Sequence, residues 1–272
     1  MSTISDFQTP LVTVQWLKSH ISAKELVVLD ATINKVVDSS TERIPSARFF
    51  DIKKNFSDIK ATFPSKLPSS DQFQTEARKL GVNNNAIIVV YDDKGVYSSA
   101  RAWWLFKVFG FDNVAVLDGG LPEWKANGFN MDYYANEINL KGNFEAYYSP
   151  GLMTDFKGVN VFSQDTNTLI LDARSEARFK CLVDEPRDGL RRGTIPNSKN
   201  LPYTELFNGY KLKSKEELSE IFNNLVEEER ILVFSCGSGI TACILALAAT
   251  QCGYNNLVVY DGSWTEYGTL TA

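Results

Sequence analysis

The second half of the chain repeats the first. Asp93 and Cys236 lie 143 residues apart, and so do Asp118 and Asp261. Around these pairs the segments match: Ile88-Val-Val-Tyr-Asp92-Asp93 with Leu232-Val-Phe-Ser-Cys236, and Leu117-Asp-Gly-Gly-Leu-Pro-Glu-Trp124 with Tyr260-Asp-Gly-Ser-Trp-Thr-Glu-Tyr267. Further upstream, Val28-Leu29-Asp30-Ala31 matches Ile170-Leu171-Asp172-Ala173, and Arg43-Ile-Pro45 matches Thr194-Ile-Pro196. Two repeats of this length mean two tandem domains rather than a solenoid, whose units are far shorter. The expected division is residues 1–129 for the first domain, 130–150 for a polar linker with scattered aromatics, and 151–272 for the second.

Each repeat alternates short apolar runs with helical patterns. That is the pattern of an α/β domain with a parallel sheet and helices on both faces. In the first repeat the runs Leu26–Leu29, Ala86–Tyr91 and Val114–Leu117 read as strands, with a helix over Ser99–Phe109 between the last two. In the second, Leu169–Leu171, Ile231–Phe234 and Leu257–Tyr260 read as strands. Ser214-Lys-Glu-Glu217 is a capping box, which predicts a helix from there through Val226.

The repeats diverge at one place that matters chemically. In the second, the strand Ile231–Phe234 runs into Cys236-Gly237-Ser238-Gly239-Ile240-Thr241, followed by an Ala/Leu-rich helical segment. A cysteine in a small-residue loop between a strand end and a helix start meets inward-facing amides and the positive end of a helix. Both favour the thiolate, the reactive form. Cys236 is therefore the candidate nucleophile, in contrast to an ordinary buried cysteine acting as a small hydrophobe. Gly237, Ser238 and Gly239 allow the loop to curl, and Ser238 and Thr241 offer hydroxyls to a developing anion. Thr241 is equally placed to cap the helix that follows. In the first repeat Asp93 aligns with Cys236, and a carboxylate is not a sulfur nucleophile. The first domain is expected to be catalytically inactive.

Composition narrows the alternatives. The net charge is −5 without a basic run, which argues against nucleic acid as a required partner. No apolar stretch approaches the ~20 residues of a membrane span, and the N-terminus carries no secretion signal. The four cysteines, Cys181, Cys236, Cys243 and Cys252, show no CxxC or disulfide-dense spacing. They suit a reducing, cytoplasmic compartment, with the mitochondrion as the alternative. His20 is the one histidine, so a Cys–His protease pair or a histidine-held metal would have to use it. No cofactor and no metal is expected.

The segment Asp172-Ala-Arg174-Ser-Glu-Ala-Arg178-Phe, continued by Glu185-Pro-Arg187-Asp-Gly, places three arginines after a strand end, where parallel α/β sheets bind ligands. The planar guanidinium suits a carboxylate. With Cys236-Gly-Ser-Gly-Ile-Thr241, Arg178-Phe followed by Arg187-Asp-Gly, Ser98-Ser-Ala-Arg-Ala-Trp-Trp104 and Asp261-Gly-Ser-Trp-Thr-Glu266, the chain resembles the two-domain rhodanese superfamily from Val27 to Tyr267. Within it, the chain is most similar to the sulfurtransferases that use 3-mercaptopyruvate.

The resemblance implies that Cys236 carries a persulfide, that Arg178 and Arg187 bind the substrate carboxylate, and that Gly237, Gly239 and Ile240 line the substrate. It gives Ser238 a part in polarising the substrate or moving a proton. It also implies a small-molecule sulfur donor, with thioredoxin, a small thiol or cyanide as acceptor and pyruvate as product. Thiosulfate-using relatives carry basic residues just after the cysteine, where this chain has Gly237 and Ser238. Related phosphatases need an arginine beyond a loop one residue longer, and position 242 is alanine. Two alternatives stand beside this reading: the same fold acting on thiosulfate, and a non-catalytic sulfur-relay protein loaded by a partner.

Overall fold

Strongly apolar runs of four or five residues, flanked by turn residues, can be buried on both faces only if helices cover both sides of the sheet they form. The computed structural model, which describes residues 7–134, 141–226 and 230–271, has this arrangement twice. The chain divides into two units: the described residues of 1–58, 67–149 and 209–212 in the first, and those of 59–66, 150–208 and 213–272 in the second.

The first unit contains strands β1 (Leu11–Val12), β2 (Leu26–Asp30), β3 (Arg48–Phe49), β4 (Ile87–Tyr91) and β5 (Val114–Leu117) in the spatial order β1-β5-β4-β2-β3. Every neighbouring pair is parallel. Helices α1 (Val14–His20), α2 (Ser70–Lys79), α3 (Ser99–Val108) and α4 (Gly120–Ala126) surround the sheet. Side chains alternate along each strand, so Leu26, Val28, Ile87, Val89, Tyr91, Ala115 and Leu117 share one core with Leu17 of α1 and Trp124 of α4. Phe73 of α2 and Phe106 of α3 join Phe50, Phe56 and Phe144 in an aromatic cluster of the same unit.

The second unit repeats the plan with β6 (Met153–Thr154), β7 (Thr168–Asp172), β8 (Ser198–Asn200), β9 (Ile231–Ser235) and β10 (Leu257–Tyr260). They lie in the order β6-β10-β9-β7-β8, again parallel throughout, so β9 is central. The helices are α5 (Phe156–Phe162), α6 (Glu176–Phe179), α7 (Lys215–Asn223), α8 (Ala242–Gln251) and α9 (Ser263–Leu270). Ser214 and Glu217 form the reciprocal capping box that the sequence predicts. The helix it opens ends at Asn223 rather than Val226, in a last turn where the amides of Leu225 and Val226 share the carbonyl of Phe222.

Of the expected linker, residues 135–140 lie outside the described residues. Residues 141–149 pack on the first unit: Gly142 donates to the Arg78 carbonyl, Phe144 is buried, and Tyr147 donates to the Phe109 carbonyl. Arg43, at the Ile-Pro motif of the first unit, donates to the Ala47 carbonyl, pairs with Asp132 at 3.1 Å and stacks over Tyr134.

The hydrogen bonds correct one part of the sequence alignment. Ala31 donates to the carbonyl of Tyr91, and its counterpart Ala173 donates to that of Ser235. Leu121 donates to the carbonyl of Asp92, and its counterpart Trp264 donates to that of Cys236. The position of Cys236 is therefore held in the first unit by Asp92, not by Asp93. The first unit's loop is one residue longer, and a constant offset read from the far side of that insertion lands one residue late.

Candidate active site

Cys236 follows the last residue of β9, the central strand, and α8 begins six residues later at Ala242. The cysteine is buried, with 2% of its surface exposed. The loop around it is tied down by the segment after β10. Ser263 Oγ accepts from the amides of Cys236 at 3.0 Å and Gly239 at 3.1 Å. The amides of Trp264 and Thr265 donate to the carbonyls of Cys236 and Gly237, and Thr265 Oγ1 donates to the Gly237 carbonyl at 2.5 Å. These bonds leave the amides of Ser238, Ile240 and Thr241 without an acceptor among the described residues. A loop of unpaired amides at a helix N-terminus is a ready place for negative charge.

Both arginines singled out in the sequence adjoin this loop. A Cβ placed on Gly237 would stand 3.3 Å from Nη2 of Arg178, so the guanidinium lies directly beside the residue after the cysteine. Arg187 Nη1 donates to Thr265 Oγ1 at 2.7 Å, and that hydroxyl in turn donates to the Gly237 carbonyl. Both arginines are partly exposed and so can meet a ligand from solvent. Ser238 is partly exposed as well. Gly239 and the side chain of Ile240 are buried, and Thr241 stands at the N-cap position of α8 without a side-chain capping bond.

Arg174 has a different task. It is buried, donates to Asp172, Glu185 and the Gly193 carbonyl, and lies 4.7 Å over the ring of Trp264. Burial would lower its pKa, but the carboxylates of Asp172 and Glu185 outweigh that and raise it, keeping the guanidinium charged. Glu185, buried itself, also accepts from Arg178 Nε and Nη2. One carboxylate thus links a structural arginine to a solvent-facing one. Ser263, Thr265 and Glu185 belong to this site and were not picked out from the sequence. Their signals were the Asp261-Gly-Ser-Trp-Thr-Glu266 and Glu185-Pro-Arg187 motifs, but motifs alone do not tell which atoms meet.

Asp92 fills the corresponding loop of the first unit with its own carboxylate, which accepts from the amides of Lys94, Tyr97 and Ser99 and from Ser99 Oγ. Three amides of that segment are thus spent on a side chain of the loop itself. The four cysteines, Cys236 among them, form no disulfide.

The model of the Rhodanese-like domain matches residues 13–127 and again 160–269. A 3-mercaptopyruvate sulfurtransferase of Escherichia coli K12 is 37% identical, over 96% of this chain and 95% of its own length. A human 3-mercaptopyruvate sulfurtransferase is 34% identical over 94% of the chain and 91% of its own. A mitochondrial thiosulfate/3-mercaptopyruvate sulfurtransferase of Arabidopsis thaliana is 36% identical, over 96% of the chain and 76% of its own. The crystal structure of SseA from E. coli, described as having the rhodanese fold, superposes with a TM-score of 0.83 at 34% identity. It covers 94% of this chain and 99% of that one.

Proposed function

The chain belongs to the rhodanese family as two tandem copies of its domain, and on that premise we propose that it moves sulfane sulfur from 3-mercaptopyruvate through a persulfide on Cys236. That it is a mercaptopyruvate-sulfurtransferase-like enzyme follows from its kinship with such enzymes along nearly its whole length. The donor, the persulfide and the acceptor are the proposal. Supporting it is one arrangement: a cysteine at the end of the central strand, in a loop of unpaired amides, with two part-exposed arginines against that loop.

The carboxylate of mercaptopyruvate is taken by Arg178 and Arg187, which turns its sulfur towards Cys236. The Cys236 thiolate attacks that sulfur. An S–S bond forms as the substrate C–S bond breaks, and the bonding pair becomes the enolate of pyruvate. Ser238 and the loop amides stabilise the developing oxyanion, and protonation of the enolate carbon releases pyruvate. Gly237, Gly239 and Ile240 shape the loop, and Thr241 starts the helix whose positive end faces it. A thiol such as thioredoxin, a small thiol or cyanide then takes the outer sulfur and restores the thiolate.

In this reading residues 151–272 are the catalytic domain and residues 1–129 the inactive one, its loop closed by Asp92. Four cysteines without a disulfide suit a reducing compartment, cytoplasmic or mitochondrial. Among the described residues no helix is long and apolar enough to cross a membrane.

The test is steady-state pyruvate release from 3-mercaptopyruvate, with and without thioredoxin, beside turnover of thiosulfate. Pyruvate release that thioredoxin accelerates supports the proposal. Thiosulfate turnover without pyruvate release would assign the other donor, and no turnover of either would leave a relay protein loaded by a partner.

A further inference from the structure

The two loops solve one problem differently. A strand that ends in a tight loop before a helix leaves several backbone amides without intrahelical partners, and these must find acceptors. In the first unit Asp92 supplies them from within the loop. Cysteine at the matching position has no oxygens to offer, so the second unit must find an acceptor elsewhere. Ser263 provides it. Its oxygen accepts from the amides of Cys236 and Gly239, and its one hydrogen has two acceptors within reach, the Tyr260 carbonyl at 2.9 Å and Cys236 Sγ at 3.8 Å. A hydroxyl has one donor and two lone pairs, and all three are used.

Ser263 holds this place against its backbone preference. Its φ is +50°, the left-handed region that favours glycine, and the matching residue of the first unit is Gly120, also at +50°. A Cβ on Gly120 would stand 2.5 Å from the carbonyl oxygens of both Asp92 and Gly95. The longer loop therefore fills the space in the first unit that the serine side chain occupies in the second. A buried side chain retained at a strained φ, with both acceptor positions of its oxygen spent on the cysteine's loop, is explained by what its hydroxyl does there.

We propose that Ser263 is a positioning residue of the sulfur-transfer site: its hydroxyl fixes the amides of Cys236 and Gly239, and with them the loop form that presents the cysteine to the donor. The inference rests on Cys236 being the sulfur carrier, so Cys236→Ser is run beside it. The decisive variant is Ser263→Gly, which relieves the strained φ while removing the acceptor. Relief of the strained φ offsets only part of the cost of two buried amides left without an acceptor, so its Tm should fall less than that of Ser263→Ala, while kcat for pyruvate release falls about 3- to 30-fold, the range for losing one or two net hydrogen bonds. KM for 3-mercaptopyruvate should stay within about twofold, because neither arginine is touched. The rate at which iodoacetamide alkylates Cys236, followed by peptide mass spectrometry, should change as well, a readout independent of turnover. Ser263→Ala keeps the strain and should show the same kcat loss with a lower Tm.

Unchanged kcat and unchanged alkylation in a folded Ser263→Gly protein would overturn the proposal while leaving Cys236→Ser inactive. Loss of cooperative unfolding in both variants would overturn it too, since Ser263 would then serve folding rather than positioning. Full activity in Cys236→Ser would instead defeat the functional reading on which the proposal stands.

Discussion

The proposed role of Cys236 depends on the element itself: a hydroxyl in the same loop has nearly the same shape but cannot carry a second sulfur. Cys236→Ser should therefore leave the fold intact and abolish transfer. Mass spectrometry after donor treatment should find one added sulfur on Cys236, and label on Cys181, Cys243 or Cys252 instead would contradict the assignment. Arg178 and Arg187 should act together on the donor carboxylate. A hydrogen bond to a charged group is worth about 1.5–3 kcal/mol, so Arg178→Ala or Arg187→Ala should lower kcat/KM for mercaptopyruvate roughly 10- to 100-fold. Thiosulfate has no carboxylate and should respond differently. Unaltered mercaptopyruvate kinetics in both variants would remove the carboxylate from the arginines. These residues were legible in the sequence because their signals are local: a strand running into a Gly-rich loop, and arginines just after a strand end. Ser263, Thr265 and Glu185 were not, because each acts on a segment distant in sequence, across 27, 28 and 11 residues for Cys236, Gly237 and Arg174 respectively. Which atoms meet over such distances is decided by register.

The elements show the same division. The inner strands of both sheets declared themselves as apolar runs, since burial on two faces confines polar residues to strand ends, as at Asp30, Thr168 and Asp172. The edge strands Leu11–Val12, Arg48–Phe49, Met153–Thr154 and Ser198–Asn200 are two or three residues long, too short for any period, and exist by pairing with a neighbour. The one-residue insertion before α3 was invisible for a related reason, because Asp92 and Asp93 are identical side chains and only hydrogen bonding tells them apart. The active loop itself carries the next prediction. With Gly237 and Ser238 after the cysteine, the fixed positive charge comes from Arg178 beside position 237 and from Arg187. Gly237→Arg combined with Ser238→Lys should shift preference towards thiosulfate, a dianion that added cations attract more than a monoanion. Mercaptopyruvate turnover should fall, since a side chain at 237 crowds Arg178 and the Ser238 hydroxyl is lost. The ratio of kcat/KM for the two donors at fixed cyanide measures this. A ratio that stays constant in a folded double variant would mean that the loop does not set donor choice.

For the whole molecule, the two copies of one fold differ in three ways that bear on the proposed chemistry. The first unit has a carboxylate where the second has a thiol, and that carboxylate consumes amides of its own loop. Its loop is one residue longer, so a sulfur at that position would not stand in the same frame of amides. The segment after its β2 differs as well: Thr32 and Val36 stand where Arg174 and Arg178 stand, and Lys35 is drawn into an ion pair with buried Asp30 at 2.5 Å. Restoring one of the three should not restore function. In a Cys236→Ser background, Asp92→Cys should give no measurable pyruvate release from 3-mercaptopyruvate, even though a cysteine again follows a central strand and precedes a helix. Losing the Asp92 carboxylate leaves buried donors unsatisfied, at about 1–3 kcal/mol for each such group, so the first unit should also unfold at lower temperature. Thermal unfolding and pyruvate release measured on the same preparation separate the two effects. Recovery of turnover above the Cys236→Ser background would show that a cysteine at the end of the strand suffices. The arginines and the loop length would then be refinements of the site rather than requirements for it.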